Sequence, residues 1–283
     1  MIQKISVCGA GTMGRGIALA CSQSDYSTIL FDADANALAN ARTSIEQQLK
    51  MLESKNKINS HQHEQMIKNL EYTTSVHDCR ADLVIEAIIE QADAKEKLFT
   101  TLAGLNAPDA ILATNTSSLS VSKLAETIPR PERFAGMHFF NPATLMKLVE
   151  IVQTPHTSAN TVNELREVVR KMSKTPVLCR DAPGFIVNHV ARPYYLEALR
   201  LLETGIADIE TIDAIMEATG FRMGPFRLMD LIGNDINYSV SCSVYKALEE
   251  PQRLKPSIIQ QKKVQQGELG KKTGKGYYEY DNE

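Results

Sequence analysis

A chain of 283 residues, 43% of them hydrophobic, can bury a substantial core, and its length suits two ordinary domains or one large one. Its 31 basic and 34 acidic residues leave a formal net charge of −3, so there is no overall positive field to hold a nucleic-acid backbone. Five scattered cysteines, Cys8, Cys21, Cys79, Cys179 and Cys242, show neither zinc nor dithiol spacing, and no apolar run is long enough to cross a bilayer; the expectation is a metal-free, soluble, cytoplasmic protein.

In chain order, Ile5-Ser6-Val7-Cys8 reads as a buried strand, Gly14 to Ser24 as a helix, and Ile29-Leu30-Phe31 as a second strand ending at Asp32. The segment over about residues 35–70 is too long for an ordinary crossover helix and reads as a protruding helical pair with charged faces. Strand-like runs return at Leu83-Val84-Ile85, Ile111-Leu112-Ala113, Phe134 to Phe139 and Leu148 to Val152, most of them separated by helical stretches. This alternation predicts an α/β fold, a Rossmann-type, doubly wound, mostly parallel sheet, followed by a smaller all-α domain. The break at Asp181-Ala182-Pro183-Gly184 places the boundary, with residues 1–184 as the dinucleotide domain and 185–283 as the helical substrate and dimerisation domain. Ile186, Val187, Val190, Tyr194 and Leu201 mark one helix face there, and a small helical domain often buries its spare face against a copy of itself. Gly270 to Tyr278 packs glycines and lysines too closely for a helix and reads as a loop able to fold back over a ligand.

Chemistry concentrates in three places. Gly9-Ala10-Gly11-Thr12-Met13-Gly14 follows a strand and opens a helix, so the helix amino terminus can take a pyrophosphate while the glycines let the backbone approach. Asp32, ending the second strand, would accept from the adenosine ribose and repel a 2′-phosphate, which favours NAD over NADP. The bland alternative is that these glycines only permit tight helix–strand packing. His138-Phe139-Phe140-Asn141-Pro142, with Glu150 a short distance on, has the parts of a general acid–base device. Between them lies the hydroxyl- and amide-rich turn Asn115-Thr116-Ser117-Ser118. The set suggests an enzyme that moves a proton and a hydride. His61, His63, His77, His156 and His189 lack metal-ligand company and read as surface groups.

Together with Glu86-Ala87, Pro183-Gly184-Phe185, Asn188, Met223-Gly224-Pro225-Phe226 and Lys272-Thr273-Gly274, these motifs resemble the 3-hydroxyacyl-CoA dehydrogenase family over essentially the whole chain. The resemblance implies an NAD-dependent interconversion of 3-hydroxyacyl-CoA and 3-ketoacyl-CoA. It makes His138 the general base and Glu150 its orienter, with Ser117 bonded to the reacting oxygen and Asn188, from the second domain, holding the substrate. It assigns Glu90, Lys95, Asn115, Ser117, Asn141 and Lys272 to the cofactor cleft beside Asp32 and the residues of the glycine loop. Lys55 matches a position that meets the CoA moiety, and a homodimer through the helical domain is implied. Taken singly, His138 and Glu150 could be an ordinary strand-end pair, Asn188 a helix-capping amide, Ser117 a turn cap and Lys55 a solvated lysine.

Acyl choice turns on Arg192, which stands four residues after Asn188 where relatives acting on plain acyl chains usually carry an apolar residue. On one helix face the two would meet, and a guanidinium could pair with a terminal carboxylate, as in the branch that oxidises 3-hydroxyadipyl-CoA in aromatic-acid catabolism. Many members of that branch are longer, with a duplicated helical portion. The other reading of Arg192 is a structural ion pair at a dimer interface. The remaining readings of the whole chain are a short-chain 3-hydroxybutyryl-CoA dehydrogenase, an NAD-binding structural protein akin to lens relatives of this fold, and a dehydrogenase of free hydroxy acids.

Overall fold

The structure, a computed structural model, describes residues 2–280. Strand β1 (Lys4–Cys8) has its last four residues buried, as a strand covered on both faces requires. It pairs in parallel with β2 (Ser27–Phe31) on one side and β4 (Leu83–Glu86) on the other. Helix α1 (Thr12–Ser22) joins β1 to β2 and buries Ile17, Leu19 and Cys21 completely.

The long polar segment forms helices α2 (Ala35–Ser54) and α3 (Ser60–Lys68), as its length suggests. Asp34 caps α2 by accepting from Asn36 N, and Asn59 with Gln62 forms a reciprocal capping box on α3. Glu53 ties the two helices together, accepting from Ser60 Oγ and contacting His63 Nδ1, each at 2.6 Å. His63 is therefore half-buried and paired, not the surface group expected.

Strands β3 (Leu70–Thr73), β5 (Ile111–Thr114), β6 (Phe134–Phe139), β7 (Leu148–Gln153) and β8 (Thr175–Arg180) complete one eight-stranded sheet of order β3-β2-β1-β4-β5-β6-β7-β8. Helices α4 (Ala92–Leu105), α5 (Val121–Ala125) and α6 (Ala159–Lys171) connect them. Every neighbouring pair is parallel except β6 with β7, which run antiparallel. The first six strands follow the doubly wound dinucleotide-binding order, whose ligand crevice opens beyond the carboxyl ends of the strands where the winding reverses. Edge strands β3 and β8 go beyond the sequence expectation.

The chain divides into two compact units, Met1–Asp181 and Ala182–Glu283, so the boundary falls at the start of the Asp181–Gly184 break and not after it. The second unit is helical: α7 (Val187–Glu203), α8 (Ile209–Ala218), α9 (Pro225–Ile232), α10 (Asn234–Ala247) and α11 (Ile258–Gln265). Its core gathers Tyr195, Leu196, Leu199, Ile212, Phe226, Met229 and Tyr277.

Two fully buried carboxylates stitch this unit together. Asp213 accepts from Phe226 N, Arg227 N and Tyr278 Oη, each at 2.9 Å, and so caps α9 from α8. A Cβ at Gly224 would stand 2.3 Å from Asp213 Cγ, which is why the Met223-Gly224-Pro225-Phe226 motif needs its glycine. Asp230 accepts from Tyr277 N and Tyr278 N at 2.9 Å and from Asn234 Nδ2 at 2.8 Å. The glycine- and lysine-rich tail is therefore pinned to α9 within its own unit. No helix among the described residues is long and apolar enough to cross a membrane.

Candidate active site

The glycine loop is shaped by close backbone contacts. Gly9 has φ +110°, and a Cβ there would lie 2.4 Å from Ala87 O in the turn after β4. At Gly14 it would lie 1.7 Å from Gly9 O. Side chains at either place would push α1 off the sheet. Gly11 differs: it N-caps α1 with no side-chain cap, and a Cβ there meets nothing within 4 Å. The first N–H groups of α1 thus have no side-chain cap, the arrangement in which a helix amino terminus can take a phosphate. Ala10, Thr12 and Met13 complete the loop. Asp32 accepts from Ala10 N at 2.7 Å and Asp34 N at 3.0 Å, fastening the loop to the end of β2. The same carboxylate keeps acceptor capacity for a ribose.

A buried charge cluster holds the turn after β5. Lys95, on α4, is 1% exposed, and its ammonium meets Glu86 Oε1 at 2.5 Å and Glu90 Oε2 at 3.1 Å. Glu86, itself fully buried, also accepts from Thr114 Oγ1 and Ile88 N. Glu90 Oε1 accepts from Thr116 Oγ1 at 2.5 Å, Ser117 N at 3.0 Å, Ser118 Oγ at 3.0 Å and Ser118 N at 3.2 Å. Burial pushes the Glu86 carboxyl above the usual carboxylate range, against the pull of Lys95. For Glu90, burial also pushes upward, but Lys95, Thr116 and Ser117 N outweigh it and hold the group below that range. In this arrangement Lys95 orders Glu90 and, through it, the Ser117 turn; it is not an open cation offered to a ligand. Ser117 is not a turn cap, since Ser120 caps α5. No described residue bonds the Ser117 hydroxyl, and that group remains available to a ligand.

His138 and Glu150 are directly opposed residues of the antiparallel β6–β7 pair. Their side chains meet at 2.7 Å between Nδ1 and Oε2, with 5% and 0% of each residue exposed. The Phe140 ring centroid lies 4.5 Å from that of His138. Asn115, half-buried at the end of β5, accepts from Phe139 N at 2.8 Å and so ties the Ser117 turn to the strand that carries His138. Asn141 opens the connection between β6 and β7 and is exposed.

The remaining expected site residues are described within their own units. Lys55 is exposed at the C-cap of α2. Asn188 is the second residue of α7, whose N-cap is Ile186, so it is not a capping amide. Lys272 pairs with Asp235 through both carboxylate oxygens, at 2.6 and 2.8 Å. Arg192 is 3% exposed. Its Nε donates to Asn188 O at 3.0 Å, and its Nη1 to Asn237 O at 3.0 Å and Ser241 Oγ at 2.8 Å. Burial lowers its pKa to about 10, and no carboxylate lies within ion-pair distance among the described residues. The guanidinium thus braces α7 against α10 within its own unit.

Sequence reasoning missed Glu86 and Thr116 as organisers of the Ser117 turn. Glu86 had stood out only as part of a motif, and no local pattern shows that a helix lysine will be buried against it. The comparisons with known proteins agree with this geometry. The family description "3-hydroxyacyl-CoA dehydrogenase, NAD binding domain" matches residues 4–182, and "3-hydroxyacyl-CoA dehydrogenase, C-terminal domain" matches residues 184–280. The chain is 45% identical to the 3-hydroxyadipyl-CoA dehydrogenase of Escherichia coli, over 99% of this chain but 59% of that one. It is 38% identical to a probable 3-hydroxybutyryl-CoA dehydrogenase of Deinococcus radiodurans, over 98% of this chain and all of the relative. The crystal structure of a 3-hydroxybutyryl-CoA dehydrogenase from Escherichia coli superposes with a TM-score of 0.95 at 44% identity, covering all of this chain and 60% of that one. The chain thus spans about three-fifths of the Escherichia coli matches and the full length of the Deinococcus relative. With the glycine loop, the Ser117 turn and the paired His138 and Glu150 in place, the chain belongs to the 3-hydroxyacyl-CoA dehydrogenase family of NAD-dependent oxidoreductases.

Proposed function

We propose that this chain interconverts a (3S)-3-hydroxyacyl-CoA and the corresponding 3-ketoacyl-CoA, with 3-hydroxybutyryl-CoA and 3-hydroxyadipyl-CoA as the candidate substrates. The buried His138–Glu150 pair carries the reading. Glu150 accepts the Nδ1 proton, a tautomer assigned from their contact, and Nε2 is then the base for the 3-hydroxyl proton. The carboxylate offsets the imidazolium that forms, so the base needs no solvent to stabilise its charged state. NAD, when bound, supplies the acceptor for the hydride that leaves C3. Ser117 bonds the reacting oxygen, Asn188 holds the substrate, and Lys55 meets the CoA moiety. Gly9 to Gly14, Asp32, Asn115, Asn141 and Lys272 receive the cofactor, and Glu90 with Lys95 keeps the Ser117 turn in place.

A second copy is proposed to pair through the helical unit, supported by Ile206, Ile215 and Phe221, each at least half exposed. A reducing, cytoplasmic location is supported by five free thiols.

The test follows NADH consumption with acetoacetyl-CoA and with 3-ketoadipyl-CoA, in the wild type and in His138→Gln. Loss of the base is expected to cost about 10²–10⁴-fold in kcat. The ratio of kcat/KM between the two thioesters chooses the acyl chain. NADH binding without turnover of either thioester would favour the structural-protein reading, and equal turnover of free 3-keto acids would remove CoA from the proposal.

A further inference from the structure

The connection 140–147 between β6 and β7 is held from below by one buried cation. Lys174, just before β8, is 9% exposed, and its ammonium donates to Ala143 O at 2.6 Å and Met146 O at 2.7 Å. It forms no ion pair among the described residues, so these carbonyls replace its water. Burial lowers its pKa, and the Lys147 charge adds to that. A cation so placed is expensive unless its donors are used.

Both carbonyls belong to a single turn, in which Leu145 N and Met146 N each donate to Pro142 O at 2.9 Å. The turn is gripped at other points as well. Ala143 is 3% exposed and packs so closely on α1 that a Cβ at Gly16 would stand 3.3 Å from its Cβ. Gln48, from α2, donates to Thr144 Oγ1 at 3.1 Å. Asn141, at the head of this turn, is exposed, and the turn follows directly on the strand of His138 and leads into that of Glu150.

We propose that Lys174 is a positioning residue: by holding the carbonyls of Ala143 and Met146 it sets the place of Asn141 in the cofactor cleft, and through it the distance over which hydride moves. This rests on the dehydrogenase reading above. A lysine suits the task because its ammonium carries three donors and a full charge on one flexible stem, enough to serve two carbonyls.

Lys174→Met keeps the apolar stem and removes the donors; Lys174→Arg keeps donors. The measurements are KM for NADH, kcat, and the isotope effect on kcat/KM with NADH deuterated at C4. The methionine variant is expected to raise KM for NADH about tenfold or more and to enlarge the isotope effect, because hydride transfer becomes the slow step; arginine restores most of both. A folded methionine variant with wild-type KM and isotope effect overturns the proposal. If that variant does not fold, amide hydrogen exchange on the wild-type protein decides. Leu145 and Met146 amides protected without NADH support a held turn, and exchange at the rate of free surface amides refutes it. Absence of all turnover in the wild type would overturn the dehydrogenase reading instead, while the exchange measurement would still judge the hold on the turn.

Discussion

Lys95→Met isolates the energetics beneath the Ser117 turn. The substitution preserves length and apolar stem but leaves Glu86, fully buried, without the ammonium that meets it at 2.5 Å. Breaking such a pair from one side costs about 3–5 kcal/mol, because a buried charge is left uncompensated. The Glu90 arm contributes less, about 0.2–1 kcal/mol, since that side chain is 37% exposed. The sign with pH follows from Glu86. Its folded-state carboxyl already lies above the ordinary range, and losing Lys95 removes the largest influence that opposes burial. Between the ordinary glutamate value, about 4.3, and the raised one, the folded state binds the extra proton, so stability falls as pH rises, by up to ~1.4 kcal/mol per unit. The deficit of the variant is therefore largest at neutral and alkaline pH and shrinks on acidification. Glu90 acts oppositely, its contribution being lost only as pH falls through its depressed value, so readings at about pH 5.5 and about pH 8 report on Glu86. The chain has no tryptophan, and urea unfolding followed by far-UV circular dichroism is the assay. A loss below about 1 kcal/mol at neutral pH, or the same loss at both pH values, would refute the reasoning.

Asp32→Ala removes both the acceptor that fastens Ala10 N and the charge expected to repel a 2′-phosphate. NADH affinity should fall by about 1–3 kcal/mol, and the preference for NADH over NADPH should narrow, as the ratio of kcat/KM values will show. Arg192→Met should leave the ratio between 3-ketoadipyl-CoA and acetoacetyl-CoA within about twofold of wild type, less than ~0.5 kcal/mol, while lowering the thermal midpoint. Collapse of 3-ketoadipyl-CoA turnover in that variant would show that the buried guanidinium reaches substrate after all.

What could be read from the sequence was what is encoded locally. The glycine loop sits directly between a strand of five residues and a helix of 11, and its spacing alone implies close backbone approach. His138 and Glu150 stand near enough in the chain for their partnership to be suspected, but direct opposition across β6 and β7 is a matter of register. Strand β3 is four residues long, with only Leu70 buried, and β8 carries Pro176 and charged or polar ends; edge strands tolerate such residues because one side has no ladder to complete. Lys95 and Arg192 show the limit most clearly. Each looks like a solvated helix residue or a ligand hook in one dimension. Each is buried because another element packs over it, β4 with Glu86, nine residues back, or α10 with Asn237 and Ser241, more than forty residues on.

The cross-strand placement of His138 and Glu150 bears on how this chemistry tolerates change. In a hairpin, residues added to the connection lengthen the bend without altering which positions face each other. A single residue gained or lost within β6 or β7, by contrast, would turn every later side chain to the opposite face of the sheet. The base and its partner therefore travel as one cassette, indifferent to the length of the 140–147 bend yet intolerant of a shift in either strand.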